Sequence, residues 1–112
     1  MTFRNETLLW MLQRASAAVL ALCVVVHLAT MVYAIRGGLS AAEILGRTRG
    51  NYGWLAFYSL FVLACAVHVP IGLRTVLAEW FKWRSGARDL ALTAFAALIA
   101  ALGMRAVFGV FL

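Results

Sequence analysis

From one end to the other the chain alternates between long apolar runs and short polar interruptions. One run occupies residues 15–35, a second residues 54–73 and a third residues 90–112. The first two hold no charged side chain, and Arg105 interrupts the third near its far end. A helix crosses ~30 Å of hydrocarbon with about 20 apolar residues, so each run is long enough to span. Backbone groups inside lipid must pair within their own segment, which predicts a helix for each run. The first connection is broken by Gly37, Gly38, Gly46, Gly50 and Gly53, the second by Ser85-Gly86. Ser40 followed by Glu43 reads as a capping box that opens a short surface helix over residues 41–45. The pattern predicts an all-α integral membrane protein: three transmembrane helices in a bundle, forming a single transmembrane domain over residues 1–112.

Composition excludes the soluble alternative. Of 112 residues, 65% are hydrophobic and 12% charged, where soluble domains are roughly a quarter charged. A chain this short, folded in water, would leave large apolar patches exposed. The net charge of +6 would point to nucleic acid in a soluble protein. Here the basic residues stand mostly at the ends of apolar runs, so they read as topology signals, and no nucleic-acid partner is expected. Arg4, Arg14, Arg74, Lys82, Arg84 and Arg88 fall on one side, and Arg36, Arg47, Arg49 and Arg105 on the other. That count places the N-terminus in the cytoplasm of a bacterial inner membrane. Trp10, Trp80 and Trp83 on the inner side and Tyr52 and Trp54 on the outer side fit interfacial aromatic belts. The stretch 74–88 is expected to carry the second helix on into the inner interface. The first run is longer than the roughly 7–15 apolar residues of a signal peptide, so it is read as a retained span. Cys23 and Cys65 lie inside apolar runs and do not form a disulfide framework.

No phosphate loop, no nucleophile beside a base and no carboxylate pair is visible. Glu6, Glu43, Glu79 and Asp89 lie outside or at the edges of the spans. The chemistry rests instead on His27 and His68, because ionisable residues inside spans are costly and functional by default. A neutral imidazole is a good haem-iron ligand; the plain alternative is a histidine hydrogen-bonded to a hydroxyl on a neighbouring helix. Ala64, Cys65 and Gly72 share a helix face with His68, and small neighbours leave room for a flat macrocycle, as they would for close helix packing. Arg74 lies about 9 Å further along the helix, where a haem propionate could meet it. Pro70 is expected to bend the helix beside the histidine. In antiparallel helices the two histidines differ in depth by roughly 10 Å, which suits two different haems better than two ligands on one iron. Each iron would then take its second ligand from another chain. Arg105 either snorkels outward or meets the propionates of an outer haem.

Two segments carry a family resemblance. Gln13-Arg14-Ala15-Ser16 opens the first span, and His68-Val69-Pro70-Ile71-Gly72-Leu73-Arg74 closes the second, followed by Glu79-Trp80. This resembles the large cytochrome b anchor of the succinate:quinone oxidoreductases, the succinate dehydrogenases and fumarate reductases. In that family an Arg-x-Ser motif starts the first helix and a His-x-x-x-Gly-x-Arg motif closes the second. The resemblance covers nearly the whole chain, with three helices in the same order. It implies that His68 is an axial ligand of haem b, that Arg14 lies near quinone and a haem propionate, that Ser16 belongs to the same quinone-site motif, and that Arg74 serves a propionate. Two-haem members carry a histidine in the first span as well, which implies a second axial role for His27. The chain departs from the pattern at Gln13 and Thr75, where the family often has His, and at Trp10, where a quinone-site Ser is common.

The resemblance implies an electron-transfer anchor that is not catalytic by itself. It would hold one or two haem b groups shared with a partner chain, and help form a quinone site around Arg14, Ser16 and Trp10. Its expected partners are a flavoprotein subunit, an iron–sulfur subunit, a second anchor chain or another copy of itself, quinone as substrate, and lipid. Two alternatives stand beside it: a non-redox helical scaffold or assembly protein, and the cytochrome b anchor of a different dehydrogenase.

Overall fold

In the computed structural model, which describes residues 3–112 and their side chains from Asn5 onward, four helices follow one another. They are α1 (Phe3–Gly37), α2 (Ala41–Thr48), α3 (Tyr52–Trp80) and α4 (Gly86–Phe111). Three of them, α1, α3 and α4, are long and apolar enough to cross a membrane. The chain is therefore an all-α, multi-pass membrane bundle. Arg4, counted above on the N-terminal side, lies outside the residues whose side chains are described.

The helices outrun the apolar runs. α1 begins at Phe3 and α3 continues to Trp80, because a helix keeps its own hydrogen bonds in water and headgroups as readily as in lipid. At 1.5 Å per residue α1 is about 52 Å long, close to the 49 Å long axis of the molecule. The expected continuation of α3 through residue 88 fails after Trp80. Phe81 and Trp83 both donate their backbone N–H to the Leu77 carbonyl, at 3.2 and 3.0 Å. Lys82, at φ 53°, then reverses the chain, and α4 starts at Gly86. Pro70 does not interrupt α3; it is buried inside the helix.

α2 forms as the capping box predicts. The Glu43 N–H donates to Ser40 Oγ at 3.1 Å, and the Ser40 N–H donates to Glu43 Oε2 at 3.4 Å. The helix runs on to Thr48, past the expected end at 45. Gly38 makes the turn into it at φ +113°, and a Cβ there would collide with the Glu43 carboxylate. At the far end of α2, Thr48 Oγ1 donates to the Val110 carbonyl at 2.8 Å, and the Gly50 N–H to the Phe111 carbonyl at 2.8 Å. Two carbonyls that the end of α4 would leave orphaned are thus satisfied by the first connection.

α3 is the central helix, packed on α1 along one side and on α4 along the other. Small residues let the backbones approach: Ala64 and Ala78 are buried, and Gly103 of α4 sits against Val62 of α3. Close packing of small residues is how helices associate where no hydrophobic force drives them together. Large side chains point outward instead, Leu22 at 68% and Val25 at 65% exposure, onto lipid or other chains.

Candidate functional site

The α1–α3 seam gathers the polar residues of the spans. On α1, Gln13, Ser16, Cys23, His27 and Thr30 recur at helical spacing and so share a face. On α3, Tyr58, Phe61, Cys65, His68 and Gly72 do the same. The helices run antiparallel, so the two stripes meet level by level.

Toward the N-terminal end of α1, Ser16 is 7% exposed, and its Oγ lies 3.4 Å from His68 Nδ1. The same hydroxyl donates to the Gln13 carbonyl at 3.1 Å. A hydroxyl has one hydrogen: when Ser16 gives it to Gln13 its oxygen accepts from His68 Nδ1–H, and in the other tautomer it donates to Nδ1 instead. The first arrangement leaves Nε2 with its lone pair and is the kind of outer hydrogen bond that orients metal-bound histidines. One turn nearer the N-terminus of α1, Gln13 Oε1 is buried without a partner, and the Gln13 amide Nε2 stands 3.2 Å from where a Cβ on Gly72 would lie.

At the other level His27 Nδ1 lies 3.5 Å from Tyr58 Oη. The ring meets Tyr58 and Phe61 edge-on, at centroid distances of 5.9 and 5.7 Å. His27 also lines a cavity of about 540 Å³ with Thr30, Tyr33, Arg47, Trp54 and Tyr58. That volume is in the range of small-molecule and cofactor sites.

His68 is level with Ser16, and His27 with Tyr58. Ten or eleven residues separate these levels on each helix, or about 15 Å of rise. This exceeds the roughly 10 Å expected from span centres, because α1 and α3 pack about one turn out of the register that matching those centres assumes. The two histidines are too far apart to face one iron from opposite sides.

The remaining expected site residues fall into separate groups. Arg14 lies over the Trp10 ring, 5.3 Å from its centroid; both are exposed, on a face of α1 turned away from Ser16. Arg14, Trp10 and Ser16 therefore do not converge within this chain. Arg74 is engaged by carboxylates from both neighbouring helices: its Nη2 is 3.0 Å from Glu6 Oε1 and its Nε 3.4 Å from Asp89 Oδ1. Arg88, almost fully buried, is 2.8 Å from the same Asp89 oxygen and donates to the Trp83 carbonyl at 3.2 Å. These groups, with Glu79 and Arg84, line a second cavity of about 550 Å³. Arg105 is exposed on α4.

Among the described residues no cluster of three or more His, Cys, Asp or Glu forms a metal-ion site. A porphyrin supplies four iron ligands itself and asks the protein only for axial ones, so single histidines suit it. His27, which adjoins a cavity of about 540 Å³, fits the group; His68 shares its helix face with the small residues Ala64 and Gly72. Sequence reasoning missed Tyr58, Gln13 and Arg47. The seven- and eleven-residue spacings from Ser16 to Cys23 and His27 were the signal that could have located the seam.

The model of one protein family, the succinate dehydrogenase/fumarate reductase transmembrane subunit, matches residues 1–104. The chain belongs to that family, and so to the membrane part of a multisubunit complex. No curated protein and no solved structure matches the chain.

Proposed function

We propose that this member of the succinate dehydrogenase/fumarate reductase transmembrane-subunit family is a cytochrome b anchor that carries electrons from an iron–sulfur subunit to quinone. The observation that carries the reading is the Ser16 hydroxyl beside His68 Nδ1: with its hydrogen on the Gln13 carbonyl, His68 donates through Nδ1 and presents Nε2. His68 and His27 are the axial ligands of two separate haem b groups, each completed by a ligand from a second anchor chain or another copy of this one. Haem bound there supplies one-electron transfer at two depths of the membrane.

Arg14 and Trp10 form the quinone contact of this chain. The guanidinium donates to a quinone carbonyl and favours its reduced, anionic form, while the indole gives the ring an apolar wall. Ser16 acts behind His68. Arg74 reaches a propionate by exchanging Glu6 or Asp89 for another carboxylate, a change that keeps its charge neutralised. The end bearing Arg74, Lys82, Arg84 and Arg88 faces the bacterial cytoplasm, where the iron–sulfur and flavoprotein subunits dock. No flavin or iron–sulfur motif is visible in the sequence, so oxidation of succinate is assigned to those partners.

A second reading has its own support. Both histidines make the interhelical contacts, to Ser16 and Tyr58, that a non-redox scaffold would use for packing. A reduced-minus-oxidised absorption spectrum of the purified complex, with haem counted per copy of this chain, separates the two. A b-type signal at two haems per copy supports the cytochrome; an intact complex without haem overturns it. Copurified subunits test the succinate assignment, since a different dehydrogenase would bring different soluble partners.

A further inference from the structure

The cavity beside His27 has a second polar group in its wall. Arg47 of α2 reaches over the last turn of α1, and its Nη2 donates to the Gly38 carbonyl at 2.9 Å. Its Nη1 is 3.4 Å from where a Cβ on Gly37 would lie. The guanidinium carbon also stands 5.7 Å from the Tyr33 ring centroid. Two contacts thus hold a cation in the cavity wall beside the last turn of α1, while His27 lines the same cavity about three turns back along that helix. Between them the walls are mainly apolar and aromatic: Met31, Ala34, Leu39, Ile44, Trp54 and Tyr58.

Capping α1 accounts for part of this arrangement, since a cation is favourable beside a helix C-terminus. It uses one of the five guanidinium donors. A cap requires no cavity, and Arg36 already puts a cation in the last turn of α1. α2 itself is a capped eight-residue helix whose amphipathic face roofs the cavity and aims Arg47 at it. A chamber lined by an imidazole, aromatic walls and an arginine fork matches a flat apolar group with a metal at its centre and carboxylates on one edge.

We propose that Arg47 holds the propionates of the haem that His27 ligates, as a two-pronged partner delivered by α2. This rests on the reading that His27 is an axial ligand. A planar fork suits carboxylate pairs in a way that a lysine ammonium does not. A cation there also disfavours the ferric state, which carries one more positive charge, and so raises the midpoint potential.

The test is a redox titration of the purified complex, with haem followed by its absorption bands and its retention measured during prolonged detergent washing. In the Arg47→Gln variant the midpoint of the His27-dependent haem is expected to fall and to become more pH-dependent, as propionates without their cation take up protons. Retention of that haem is expected to fall about tenfold, the range seen for partners that orient a bound metal group. Arg47→Lys is expected to keep the midpoint near that of the unaltered complex but to lose haem faster. Arg49→Gln, two residues along the chain and outside the cavity, is expected to change neither. An Arg47→Gln complex with unaltered midpoint and retention overturns the proposal, as does an equal shift from Arg49→Gln. Should Arg47→Gln fail to assemble, Arg47→Lys decides alone, and unaltered retention there overturns it. If His27→Ala removes no haem, the axial assignment itself falls, a failure distinct from that of Arg47.

Discussion

Ser16 and His68 meet across the α1–α3 seam at 3.4 Å, and the serine hydroxyl also lies 3.1 Å from the Gln13 carbonyl. The contact orients the imidazole ring. Ser16→Ala leaves Nδ1 without its partner and frees the ring to turn. The expected outcome is a stability loss of about 1 kcal/mol and about tenfold weaker haem retention at His68, while the His27 haem is spared. Thermal unfolding in detergent and the haem count measure the two effects; loss of stability without loss of haem would confine Ser16 to packing.

The 15 Å between the histidine levels follows from their different partners, Ser16 and Tyr58. His27→Ala is therefore expected to remove one b-type haem and leave the other, and His68→Ala to do the reverse. Difference spectra of the two assembled variants should be complementary. Equal loss of both haems in each variant would contradict independent sites.

The ion pairs at the end of the bundle that holds Glu6, Arg74 and Asp89 differ in burial, and that sets their worth. Glu6 is half exposed where it meets Arg74, and such pairs contribute about 0.2–1 kcal/mol. Glu6→Gln is expected to cost under about 1 kcal/mol. The Arg88 side chain is only 5% exposed and bridges Asp89 to the Trp83 carbonyl, while Asp89 keeps Arg74 as a second cation, so Arg88→Ala is expected to cost about 1–3 kcal/mol, chiefly by leaving the Trp83 carbonyl without its donor. Denaturation midpoints rank the two variants; the opposite order would show that burial does not govern this cluster.

A Cβ on Gly103 would lie 2.5 Å from Val62 Cγ1 and 3.3 Å from its Cβ. A β-branched side chain has little rotamer freedom to yield. Gly103→Ala should push α3 and α4 apart at about 1–3 kcal/mol, and Val62→Ala in the same chain should recover most of it. A double variant no more stable than Gly103→Ala would place the strain elsewhere.

Much of this was legible in the residue pattern, and what was not has a common cause. Hydropathy located all three spans because lipid selects side chains directly. It missed the polar first turns of α1, because backbone hydrogen bonding continues where apolar composition stops, and the expected run of α3 to residue 88 stops at Trp80, where Lys82 turns the chain. Ser40 and Glu43 announced α2, since a capping box is a local geometry. His27 and His68 stood out by their cost in lipid. Their partners did not, because Ser16 against His68 and Tyr58 against His27 depend on helix rotation and on an offset of about one turn between α1 and α3. Arg47 was counted only as a topology charge for the same reason: its place beside His27 exists only once α2 folds back over α1.

The bonds that tie the first connection to the end of α4 also have a place in time. Thr48 precedes its acceptor Val110 by 62 residues, so at 5–20 residues per second the ribosome needs about 3–12 s to make that acceptor after the donor. The Thr48 hydroxyl also reaches the Ile44 carbonyl of its own helix at 3.2 Å, so it has a partner before Val110 is made. The bonds to Val110 and Phe111 form only once the end of α4 stands level with α2, and they tie the depth of α4 in the bilayer to the first connection.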